Sequence, residues 1–423
     1  MIKKISCSIV CLSLLLSGCG NGSGNTTSNN ISPKLNSMLN QFIESYGNTY
    51  SFSAMSTTVK CGNLQTVSGI AGTFESTGNV SINTNSLFQI GSTSKSFTSV
   101  VILQLADDKN YNFSLNDTLS KWFKNVDGSP TYPMWESVTV TQLLNMSSGI
   151  PDYFNDNPNI LISSITNPNR YFSPTELVSS VTAMPVLFAA GHGFNYSNTN
   201  YVLLGMLIQQ VTGNNPIFEI QTRIFNKLGL HNTYFPSNLP ATVVPTNQMV
   251  NGYGNISFLP SPYVSLNGFY NFTWNSLSIY YTAGGIISTP QDLMTYTNAL
   301  FTPGKLLTST EIDEFISSNM VSQNPTPGYP NGGQPITSVS ESIPVGFGLG
   351  VFNIYSSESL GSYYMYNGAT MGYGSYYAYY PKNNMYLTLM INNGINIGLS
   401  NPNYQNLINQ IVQYTITTQC MAK

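Results

Sequence analysis

Val100, Val101, Ile102, Leu103 and Leu105 leave no polar stripe when wound at helical spacing. A helix apolar nearly all round cannot lie on the surface, so other elements must wrap it from several sides. The run GSTSKSFT, residues 91–98, stands at its head and sets Ser92 three residues before Lys95. Residues i and i+3 share a helix face, so the two side chains lie together. A serine hydroxyl is a weak nucleophile without a base in reach. A lysine becomes such a base when burial or positive potential lowers its pKa. The helix start supplies positive potential and also aims backbone N–H groups at an oxyanion forming there. The spacing alone is common by chance, and an exposed turn lysine is the plain alternative. Only 7% of residues are charged, however, and this lysine opens a segment too apolar for the surface. Acyl transfer through Ser92, with Lys95 assisting, is the chemistry these residues imply.

The length of 423 residues is enough for a large core with two subdomains. A net charge of -3 without a basic stripe excludes nucleic acid as a partner. Lys3 and Lys4 precede an apolar stretch from Ile5 to Leu16, too short to span a bilayer. The stretch ends in Leu16, Ser17, Gly18 and Cys19, which resembles a bacterial lipoprotein signal with Cys19 as the lipidated residue. Residues 1–18 are therefore expected to be a signal peptide and 19–30 a flexible tether. The protein would be an exported periplasmic or cell-surface lipoprotein, held to the membrane by its N-terminal lipid. Cys61 and Cys420 are the cysteines left in the folded part. Export favours one disulfide between them, and two buried free thiols are the other reading.

Ser32 and Pro33 suit an N-cap and first turn, and Leu35, Met38, Leu39, Phe42, Ile43 and Tyr46 continue at helical spacing. Turn-punctuated, alternating segments from 51 to 90 read as antiparallel strands. Residues 362–367, 373–380 and 385–392 read as three more, and the tyrosine stripes there are strand residues. A helix over 201–211 stops at Gly213, and a last one begins at Asn401 and Pro402. The expected fold class is α+β. Residues 31–130 and 275–423 would form an α/β domain, and 131–274 a mostly helical insertion.

Several runs beyond the serine segment bear a family resemblance. Phe88 to Thr98 is similar to the nucleophile segment of class C β-lactamases, D-alanyl-D-alanine carboxypeptidases and related esterases. Val138 to Tyr153, with its Ser-Gly-Ile-Pro turn, Tyr196 to Gly205, Ala283 to Leu293 and Gly346 to Gly350 match in the same order. The resemblance covers roughly residues 32 to 415. It implies the β-lactamase/penicillin-binding fold: an antiparallel sheet flanked by helices, with the site between sheet and insertion. It implies that Ser92 is acylated, that Lys95 deprotonates it and that Tyr196 shuttles the proton to the leaving group. Asn198 would bind the substrate amide. Tyr196 is one of 28 tyrosines, and only its flanking Ser197 and Asn198 single it out.

The third family element is Lys-Thr-Gly or His-x-Gly on a strand beside the site. The matching residues here are Tyr366, Asn367, Gly368 and Ala369, expected to bind substrate, with the Ala369 N–H as second oxyanion donor. Tyr366 replaces the cation or imidazole and can offer a carboxylate only one uncharged hydrogen bond. That departure favours an esterase, amidase or weak peptidase over a strong β-lactamase. The expected function is a serine hydrolase acting on a small-molecule or cell-wall peptide or ester, with no cofactor and no metal. A non-catalytic cell-wall or partner-binding member of the same fold is the alternative. His192 and His231 read as loop residues.

Overall fold

The computed structural model describes residues 31–236, 244–255, 269–356, 360–394 and 401–421. Cys19 and the leader and tether expected over 1–30 lie outside them. Its helices begin with α1 (Ser32–Tyr50), α2 (Ser94–Asp107), α3 (Leu119–Trp122), α4 (Val140–Leu144), α5 (Pro158–Thr166) and α6 (Pro174–Ser179). They continue with α7 (Asn198–Thr212), α8 (Pro216–Ile220), α9 (Pro290–Leu300), α10 (Ser309–Asp313) and α11 (Pro402–Thr415). The first strands are β1 (Ala54–Cys61), β2 (Val67–Gly72), β3 (Phe88–Gln89), β4 (Tyr253–Asn255), β5 (Phe269–Asn271) and β6 (Ile287–Ser288). Then come β7 (Val321–Ser322), β8 (Val345–Phe347), β9 (Phe352–Ile354), β10 (Tyr363–Ala369), β11 (Gly374–Tyr380) and β12 (Met385–Ile391).

The α+β arrangement rests on one antiparallel sheet of order β2-β1-β12-β11-β10-β9-β8-β7. β1 and β12 pair from Met55–Ile391 to Cys61–Met385, so strands from the early and late parts of the chain meet one strand in from the β2 edge. Two devices lock that closure. Asn392 accepts from the Ser53 and Ala54 N–H groups at 3.0 and 2.9 Å and donates to the Asn251 carbonyl at 2.8 Å. Cys61 and Cys420 are joined in a disulfide across 359 residues of sequence. α1 buries Leu35, Leu39 and Phe42, and Phe42 meets Tyr404 of α11 at 5.0 Å between ring centres. Its entry differs from expectation. Ile31 is the N-cap, without a side-chain bond, and the Ser32 hydroxyl donates instead to the Ser68 carbonyl of β2 at 2.6 Å. Ser32 thus ties the helix to the sheet edge rather than capping it.

α2 is central, as its composition requires: Ser94 to Leu103 are all buried. Phe97 lies flat on Tyr296 of α9 at 3.5 Å and meets Phe225 edge-on at 6.0 Å. Between 131 and 274 the described elements are α4 to α8 with the short β4–β5 pair. α7 begins at Asn198, three residues before the expected Tyr201, and ends on Gly213 in the left-handed region. That start sets Tyr196 two residues ahead of a helix. None of the helices among the described residues is long and apolar enough to cross a membrane.

The disulfide restricts the unfolded chain over most of its length. Replacing Cys61 and Cys420 together by alanine is expected to lower the unfolding free energy by roughly 2–5 kcal/mol. Urea melts of the double variant and of the reduced wild type should agree, and an unchanged midpoint in both would refute it.

Candidate active site

Two glycines let a strand press on the nucleophile turn. Gly91 opens the 3-10 turn Gly91–Thr93 at φ +50°, and a Cβ there would stand 2.5 Å from the Ala369 carbonyl oxygen. A Cβ on Gly368 would stand 2.0 Å from the Ile90 carbonyl oxygen. β10 therefore meets the turn backbone to backbone. Ser375 on β11 braces the contact, donating to the Ile90 carbonyl at 2.7 Å and lying 2.8 Å from the Thr93 hydroxyl. Ser92 is then half-buried at the head of α2, facing a cleft of about 750 Å3 that Asn198 and Ala369 also line.

Lys95 is wholly buried beneath it. Its ammonium donates to Ser92 Oγ at 3.1 Å, Asn198 Oδ1 at 2.7 Å and the Ala283 carbonyl at 2.7 Å. Burial lowers its pKa to about 7, and the negative charge of Asp152 opposes that shift. Near neutrality the amine therefore exists in both forms. Once neutral it keeps two donors for Asn198 and Ala283 and turns a lone pair toward the Ser92 hydroxyl. A base one helical turn from its serine is what this arrangement can supply.

Asp152 is the residue the sequence reading missed. It is 1% exposed and receives the Asn198 backbone N–H on Oδ1 at 3.0 Å and the Asn198 side-chain amide on Oδ2 at 3.1 Å. Ser197, the formal N-cap of α7, makes no side-chain cap bond, so Asp152 caps that helix from another loop. Burial raises its pKa, while bonds from Phe154 and Asn198 and the charge of Lys95 oppose the rise. Asn198 bridges the two charges, its oxygen toward Lys95 and its nitrogen toward Asp152. One signal existed: Asp152 follows the Ser-Gly-Ile-Pro turn in a chain with only 17 acidic residues. The Ala283 carbonyl left no such signal, because a backbone acceptor has no residue type.

Tyr196 is half-buried, with the Lys95 amine 4.9 Å from its ring centre. Its hydroxyl lies 3.2 Å from that of Tyr366. Burial pushes the Tyr196 phenol up, and hydrogen bonds with Ser92 and Tyr366 oppose this. The phenol stays protonated where Lys95 titrates, which suits a proton donor. Tyr366 itself corrects an expectation. Rather than facing substrate it is fully buried, packed on Phe347 and Phe352 at 6.0 and 5.5 Å between ring centres. Asn367 is half-buried outside the cleft lining, so of the four strand residues Ala369 lines the cleft and Gly368 supports it. His192 and His231 are exposed in loops, and neither lines the cleft. Among the described residues no cluster of His, Cys, Asp or Glu could hold a metal ion.

The Beta-lactamase family model matches residues 39–406, and the chain belongs to that family. Penicillin-binding protein 4* of Bacillus subtilis (strain 168) is 31% identical over 165 residues, 36% of this chain and 31% of that protein. Protein flp of Staphylococcus aureus (strain MRSA252) is 33% identical over 155 residues, 36% of this chain and 28% of that one. The matched region thus spans about a third of the length of these relatives. Similarity in structure runs further. A D-stereospecific amidohydrolase from Streptomyces sp. superposes with a TM-score of 0.69 at 25% identity, over 88% of this chain and 97% of its own. D-amino acid amidase from Ochrobactrum anthropi SV3 gives 0.72 at 22% identity, over 92% and 99%. The fold is that of β-lactamases and penicillin-binding proteins, and its neighbours include amide hydrolases.

The balance of burial against Asp152 makes a prediction about Lys95. In isotope-labelled protein its amine should titrate near pH 7 by NMR. Asp152→Asn removes the charge that favours the ammonium, so the titration should move to lower pH. A wild-type value near 10, or an upward shift in the variant, would refute the account.

Proposed function

We propose that this protein is a serine hydrolase that cleaves amide or ester bonds through an acyl-enzyme on Ser92. The observation that carries the reading is the hydrogen-bonded pair of Ser92 and buried Lys95, whose amine is half neutral near pH 7. In this reading neutral Lys95 accepts the Ser92 proton as Oγ attacks the substrate carbonyl. The Ser92 and Ala369 N–H groups hold the resulting oxyanion. The C–N or C–O bond then breaks, and the leaving amine or alcohol takes a proton from Tyr196, which Lys95 restores. Water adds to the Ser92 ester with Lys95 again as base, and Lys95 returns that proton to Ser92 Oγ as the acid product leaves. Asn198 serves twice, fixing Lys95 through Oδ1 and offering its second amide N–H to the substrate. Asp152 holds Asn198 in that orientation.

Within this chemistry the protein is a β-lactamase-related D-alanyl-D-alanine carboxypeptidase or an esterase. The amidohydrolase and amidase neighbours support hydrolysis at a carbonyl carbon. An exported location is part of the proposal, and the Cys61–Cys420 bridge supports it, since such bonds persist in oxidising compartments.

A p-nitrophenyl ester and a labelled penicillin, each offered to wild type and Ser92→Ala, test the reading. Ester turnover should fall by about a thousandfold or more in the variant. The kcat/KM of wild type should rise with pH through about 7, because Lys95 works in its neutral form. A lasting penicillin adduct on Ser92 would mark a carboxypeptidase. Failure of both reagents on folded protein would leave a binding role and overturn the hydrolase.

A further inference from the structure

The walls of the cleft bear on which acyl compounds can reach Ser92. Among the described residues that line it, none is Asp, Glu, Lys, Arg or His. Its apolar side is made by Phe154, Leu161, Phe272, Tyr280 and Met371. The Phe154 and Tyr280 rings lie 5.7 Å apart, and the Tyr280 hydroxyl accepts the Met371 N–H at 3.1 Å, so this wall is braced. Leu161, Phe272 and Met371 belong to a small hydrophobic cluster separate from the main core. The polar side is amides such as Asn155 and Asn198, which hydrogen-bond without charge.

The two charges nearest the serine do not serve the cleft. Lys95 has its three donors directed at Ser92, Asn198 and Ala283, and Asp152 is covered by Asn198, Phe154 and Asn155. Both are buried and compensate each other. Tyr366, at the position where similar enzymes carry a cation, is buried behind Tyr196. A carboxylate entering the cleft would lose water and gain no cation in exchange, which is costly. A neutral apolar group would lose water and gain the aromatic wall.

We propose that the site takes uncharged esters or amides bearing a bulky apolar substituent, and discriminates against substrates that bring a free carboxylate into the cleft. This rests on the Ser92 hydrolase reading and narrows it, favouring the esterase or amidase over the carboxypeptidase.

The test uses two p-nitrophenyl esters of similar length, the heptanoate and the hydrogen adipate, with the Ser92→Ala rate subtracted. Wild-type kcat/KM for the heptanoate should exceed that for the hydrogen adipate by about thirtyfold or more. Met371→Lys should narrow that ratio by roughly tenfold, since it adds the missing cation to the wall. Equal wild-type values, or a ratio unmoved in a folded Met371→Lys variant, overturn the proposal and leave the hydrolase standing. If neither ester is consumed, the hydrolase reading is what falls. Chromogenic amides of the same two acids would extend the comparison to the second bond type.

Discussion

A lysine amine with no exposure to water is the constraint around which this molecule is arranged. Leaving an isolated ammonium in such a place costs several kcal/mol after relaxation, and the chain answers with partners rather than solvent. Those partners come from separate parts of the sequence: Asn198 at the start of α7, the Ala283 carbonyl, and Asp152 one residue removed through Asn198. Each partner must be delivered by its own element. α7 has to pack against α2, and the 281–285 segment has to lie beside both, as the Thr98 and Tyr201 bonds to Thr282 record. Gly205 is part of the same fit, because a Cβ there would stand 2.2 Å from the Thr282 hydroxyl. Packing and chemistry are therefore one requirement here. The helix contact that buries Lys95 also tunes it.

Scarcity of charge shapes how this is done. Among the described residues the ion pairs are Lys121–Asp117, Arg170–Glu176 and Arg223–Glu219, all away from the site. Amides and hydroxyls take over the bracing. Asn392 pins the β1–β12 closure, Ser375 pins β11 to the serine turn, and Asn198 bridges the two buried charges. An amide can accept on one side and donate on the other, which a lone carboxylate or ammonium cannot. That property lets Asn198 sit between Lys95 and Asp152 and satisfy both.

How much of this was legible in the sequence depended on the kind of signal. α2 was legible because burial on all sides leaves an all-apolar composition, and the three late strands because of alternation and turn residues. Ser92, Lys95, Tyr196 and Asn198 were legible as motifs, and the structure brings them together. The Cys61–Cys420 pair was readable only as one of two options. Asp152 was hidden because its role is defined by another element, the uncapped start of α7. The burial of Tyr366 was not legible as a motif, because a motif position does not state which way its side chain points. Strand geometry held the answer: Gly368 must face the serine turn to permit the close approach, and residues two apart on a strand share a face. Tyr366 therefore points inward with Gly368, while Ala369 reaches the cleft.

The same geometry explains what the phenol does in place of a cation. Tyr366 is fully buried, and its hydroxyl lies 3.2 Å from that of Tyr196. The two hydroxyls share one hydrogen bond, in which either can donate. With Tyr366 as donor, the Tyr196 proton is free to turn toward Ser92. A lysine or protonated histidine at this position would pull the Tyr196 proton off more strongly and would also attract anions into the cleft. A phenol supplies only the oriented dipole. In the proposed mechanism the general-base burden then falls on Lys95, whose burial lowers its pKa to about 7. In the proposed reading the exchange at Tyr366 thus bears on two things together: which group starts the reaction, and whether the site welcomes charge.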